Sequence, residues 1–71
     1  MIKINSLYWQ RDKNTSLEKD VRVATKRFHK RVGKEPTLII FNSIEMVEYD
    51  GDLDVQFAKT VQKGHFKLVA K

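Results

Sequence analysis

The sequence predicts a two-layer α+β domain, with one amphipathic helix packed on a mixed sheet of about four strands. Its order is β-α-β followed by a C-terminal β-hairpin. Three observations predict this. Leu17, Val21, Ala24, Phe28 and Val32 recur at the period of one helix face. Leu38-Ile39-Ile40-Phe41 is a continuous apolar run bounded by Pro36 and by Asn42-Ser43. Residues 55–61 and 65–71 each alternate apolar with polar positions around Gln62-Lys63-Gly64.

Residues 2–9 read as a first strand. Ile2 and Ile4 alternate with Lys3 and Asn5, and Leu7-Tyr8-Trp9 then follow as a block. A bulge at Ser6 would turn the second half over. Residues 10–14 are a polar loop into the helix, which spans 16–34. Thr15 stands at the N-cap position with Glu18 three residues on, the capping-box spacing. Glu18 and Asp20 load the first turn and Lys30 and Arg31 the last, as the helix dipole favours. Gly33 supplies a left-handed stop, and Pro36 follows.

The next strand covers residues 37–42. Four successive apolar residues place it centrally, covered on both faces. Strand, helix and strand imply a right-handed crossover with the two strands parallel. Residues 44–49 suit a short helical turn or an irregular segment better than a strand, although Asp50-Gly51 is also a type I′ hairpin signal. In this arrangement the helix covers Val55, Phe57, Val61, Phe66 and Leu68. The opposite face carries some of Leu38, Ile40, Ala58, Val69 and Tyr8 or Trp9. No second helix follows to cover that face, and an uncovered apolar sheet face marks an interface.

A chain of 71 residues makes one domain, residues 1–71, with little core to spare. It has no cysteine, so neither disulfides nor Cys-based zinc sites support it. No apolar run reaches membrane-spanning length, and Met1–Asn5 lacks a signal-peptide hydrophobic region, so a cytoplasmic protein without a membrane partner is expected. The net charge of +5 is distributed in blocks. Residues 16–34 carry seven bases and two acids, 35–54 carry six acids and no base, and 55–71 carry four lysines.

Catalysis is not expected. The three serines lie in no nucleophile-elbow context, and nothing links His29 or His65 to a positioned carboxylate. The three glycines are isolated, so no phosphate loop forms. Asp50, Asp52 and Asp54 open like a calcium loop, but Val55 and Val61 stand where that loop needs Gly and Glu. No cofactor, metal or small-molecule substrate is indicated. Residues 63–69 have a basic-aromatic rhythm, yet His65 and Lys67 occupy the places where an RNA-recognition strand needs stacking aromatics.

Two readings remain. The first is a small non-catalytic protein-interaction module that self-associates or completes a larger assembly. Tyr8, Trp9, Ile40 and Val69 are its candidate interface. The second is a nucleic-acid-binding domain that neutralises phosphates with Lys19, Arg22, Lys26, Lys30, Lys63 and Lys67. Charge alone equally describes a solvated helix face and lysine-guarded sheet edges. The acidic block weighs against nucleic acid, so the interaction module, with a protein partner or a second copy, is preferred.

Overall fold

A computed structural model describes residues 5–45 and 47–70. Residues 2–4 of the expected first strand, Met46 and Lys71 lie outside the described residues. The elements are β1 (Ser6–Gln10), α1 (Leu17–Val32), β2 (Leu38–Asn42), β3 (Asp54–Ala58) and β4 (His65–Val69). They form an α+β fold with one helix on a mixed four-stranded sheet of order β1-β4-β2-β3. None of its helices is long and apolar enough to cross a membrane, among the described residues.

The helix follows its apolar period. Val21, Ala24 and Phe28 are buried, and Leu17 and Val32 pack at the margins. The start is one residue later than the capping-box reading. Ser16, not Thr15, is the N-cap: it is extended (φ −72°, ψ 156°) and its Oγ accepts from Lys19 N–H. The preceding loop explains the shift. Asp12 Oδ1 accepts from Asn14 N–H and Asp12 O from Thr15 N–H, so Thr15 belongs to that turn. At the other end Gly33 has φ 78° and donates its N–H to His29 O at 2.9 Å.

β2 is central, as its apolar run requires. It pairs with β3 in parallel and with β4 antiparallel. β1 pairs antiparallel with β4, so β1 and β2 are parallel but have β4 between them. β3 and β4 run in opposite directions, as in a hairpin, yet they flank β2 and do not pair with each other. Burial gives the reason. Phe66 and Leu68 are fully buried, whereas Val55 is 38% and Phe57 49% exposed. The more apolar β4 takes an inner place and β3 an edge. Residues 59–64 are long enough to step over β2, since two strand spacings are only about 10 Å.

The β2–β3 pairing also explains residues 43–53. Parallel strands need a crossover, normally a helix. Here a turn at 43–45 and an irregular strap bring the chain back, and Val47, Tyr49 and Leu53 of the strap pack on the core. Among the described residues, the turn at 43–45 and the irregular run at 47–49 match the reading as a short turn or irregular segment, and Asp50-Gly51 makes no type I′ turn because Gly51 does not have a positive φ. The need for glycine at 51 is steric. A Cβ there would collide with the Tyr49 hydroxyl group. The Tyr49 ring lies 6.0 Å from that of Phe41. Gly51→Ala must displace this ring, and is expected to lower stability by about 1–3 kcal/mol, the usual range for overpacking. A urea titration against the unsubstituted chain measures it. An unchanged midpoint would mean that the strap yields freely.

The sheet registers align into rows. Leu7, Leu68, Ile39 and Val55 form one row, and Trp9, Phe66, Phe41 and Phe57 another. Both face the helix. The helix lies over β1 and β4, so Phe66 and Leu68 are covered as expected, while Val55 and Phe57 share the face but project beyond the helix. Val61 is buried beside Asn42, whose Nδ2 donates to Val61 O at 2.7 Å.

Candidate functional site

The intervening rows build the face away from the helix. Ser6, Val69, Leu38 and Asp54 form one, and Tyr8, Lys67, Ile40 and Gln56 the next. The β-strand alternation that buries Phe66 and Leu68 turns Lys67 and Val69 outward. Leu38, Ile40 and Val69 are half-buried, and Tyr8 is 43% exposed. No helix or strand of the chain is layered over them, among the described residues.

Tyr8 is fixed in place. Its hydroxyl oxygen accepts from Gln62 N–H at 2.6 Å, and its ring centroid lies 5.1 Å from that of His65. The ring therefore meets an incoming surface with little conformational entropy left to lose. Lys67 stands between Tyr8 and Ile40 and is half-buried. Its aliphatic stem extends the apolar surface while its ammonium reaches water.

Of the four candidate interface residues, this face unites Tyr8, Ile40 and Val69. Trp9 is a correction. It pairs with Phe66 on the helix side and packs against the core. Regular pairing of Ser6 through Gln10 with β4 leaves no bulge at Ser6 to turn both aromatics outward.

The six cationic candidates do not form one surface. Lys19, Arg22, Lys26 and Lys30 are exposed along the helix. Lys63 is in the turn before β4, and Lys67 is on the far face of the sheet. The acidic block also comes close to the helix. A groove of about 670 Å³ between α1 and the strap has Glu18 and Arg22 on one wall and Glu48, Asp50 and Asp52 on the other. Those carboxylates oppose a phosphate approaching Arg22. Further along, His29 Nδ1 lies 3.6 Å from Glu35 Oε1.

Two features were missed in the sequence. One is a polar cluster under the helix N-terminus. Asp20 is 5% exposed; its carboxylate accepts from Thr15 Oγ1 and from Asp12 N–H, and lies 3.8 Å from Arg11 Nε. Arg11 N–H in turn donates to Gly64 O at 2.7 Å, so the cluster joins the helix to the turn before β4. Its signal was present, because Asp20 falls three residues after Leu17 and four before Ala24, on the apolar stripe itself. The other is the free edge of β3, which no local pattern announces. Comparison of the chain with protein families, curated proteins and solved structures found no match.

Proposed function

We propose that this chain is a small non-catalytic, cytoplasmic protein-interaction module that self-associates or completes a larger assembly through the open sheet face. The observation that carries this reading is the set Leu38, Ile40, Val69 and Tyr8, gathered on a face without a covering layer. A small domain gains most from a partner that adds the missing layer, since burial of apolar area drives association. Lys67 suits a partner with a carboxylate or carbonyl opposite it.

The alternative, nucleic-acid binding, draws on the exposed row Lys19, Arg22, Lys26 and Lys30. The acids across the groove and the distant Lys67 weigh against it.

An amide-resolved NMR dilution series tests the choice. Self-association through the open face broadens and shifts Tyr8, Ile40, Lys67 and Val69 with concentration. Ile40→Glu removes that dependence, whereas Lys26→Glu with Lys30→Glu leaves it intact. Salt-sensitive shifts confined to residues 19–30 on adding mixed-sequence duplex DNA, without dilution effects, would overturn the interaction reading.

A further inference from the structure

We infer that the free edge of β3 pairs with β3 of a second copy, antiparallel about a two-fold axis at Gln56, to give a continuous eight-stranded sheet. This seam uses the backbone edge of β3 and not the packing of the open face, and it goes beyond the reading above.

Three observations carry it. The first is hydrogen-bond parity. Asp54 N–H donates to Thr37 O, and Ser43 N–H to Ala58 O. In a parallel pair, groups directed to the neighbouring strand alternate along the chain. Asp54, Gln56 and Ala58 therefore spend theirs on β2. Val55 and Phe57 direct both N–H and C=O to the free edge.

The second is side-chain register. With Gln56 on the axis, Val55 stands opposite the partner copy's Phe57, and each such pair can exchange two backbone hydrogen bonds. The same register joins the two exposed apolar residues of the strand, 38% and 49% accessible, on the helix side. One alignment thus satisfies the backbone groups and the side chains together.

The third is charge. Asp50, Asp52 and Asp54 precede or open the strand, and Lys59 and Lys63 follow it. Antiparallel pairing brings the acidic end of each copy beside the basic end of the other, whereas parallel pairing sets like against like. The basic helix lies over β1 and β4, at the other side of the sheet, so it does not repel across the seam.

Single cysteines test the register, since the chain has none of its own. Gln56 on the axis would be a non-hydrogen-bonded pair with Cα atoms about 4.5 Å apart, within disulfide range. Gln56→Cys is expected to oxidise largely to a covalent dimer of twice the 8.4 kDa chain mass. Ala58→Cys, about 13 Å from its copy in this register, is expected to cross-link at least about tenfold more slowly. Phe57→Asp in the Gln56→Cys background abolishes the cross-link, and Ile40→Glu leaves it. Equal rates at 56 and 58, or a monomeric unsubstituted chain at every concentration, would overturn the proposal. Loss with Ile40→Glu but not with Phe57→Asp would also overturn it while upholding the open face as the contact.

Discussion

Phe28→Ala is expected to lower the stability of the chain by about 3–5 kcal/mol, the largest loss from any single truncation considered. Phe28 is fully buried and belongs to one core cluster with Ile39, Phe41, Phe66 and Leu68. Removing a buried phenyl ring loses its transfer free energy and leaves a cavity, at a cost of about 3–5 kcal/mol. At the usual 0.05–0.15 kcal/mol per residue, a chain this size has only about 4–11 kcal/mol in total. One truncation therefore removes from about a quarter to all of the margin. No disulfide compensates, because the sequence has no cysteine. Far-UV circular dichroism through a urea titration measures the loss. Val23→Ala is the control: Val23 is 47% exposed on the same helix, and its truncation should change stability by under about 0.5 kcal/mol. Similar midpoints for the two variants would contradict the packing described above.

Asp20→Ala is the second large effect, expected at about 1–3 kcal/mol. The substitution withdraws the acceptor from Thr15 Oγ1 and Asp12 N–H and the counter-charge from Arg11. A buried donor left without a partner costs about 1–3 kcal/mol. The Arg11 share is smaller, because its side chain is 30% exposed and water screens it. Asp20→Asn keeps one oxygen acceptor and should fall between the parent and Asp20→Ala. Amide exchange adds a local readout. Since Arg11 N–H donates to Gly64 O, loosening at Asp20 should speed exchange at Arg11. If Asp20→Ala melts with the parent, the cluster is a solvated turn without energetic weight.

The two predictions differ in how well the sequence foretold them. Phe28 follows directly from a four-residue spacing. Asp20 occupies a stripe position too, but its charge suggested a dipole role, and only the fold of residues 11–15 beneath it supplies the partners. The same loop moved the cap from Thr15 to Ser16. Capping boxes are read from two residues, whereas the actual cap depends on where the preceding turn releases the chain.

The candidate surface was partly legible. The uncovered face was expected to hold some of Leu38, Ile40, Ala58 and Val69 with Tyr8 or Trp9, and the registers put Leu38, Ile40, Val69 and Tyr8 there. Trp9 was not separable from Tyr8, because a one-residue change of register exchanges the faces of a strand. Pairing Trp9 with Phe66 decides it.

Local order was therefore written in the sequence itself: the helix and its buried stripe, the central apolar strand, and the glycine stop at 33. Each depends on neighbours within about one or two turns of chain, where backbone geometry translates spacing directly into a shared face. Strand order was decided only in the tertiary structure. Whether β4 lies beside β3 or between β1 and β2 is a competition for burial across the whole sheet. Phe66 and Leu68 gain more from an interior place than Val55 and Phe57 would, and that comparison exists only once all four strands are together.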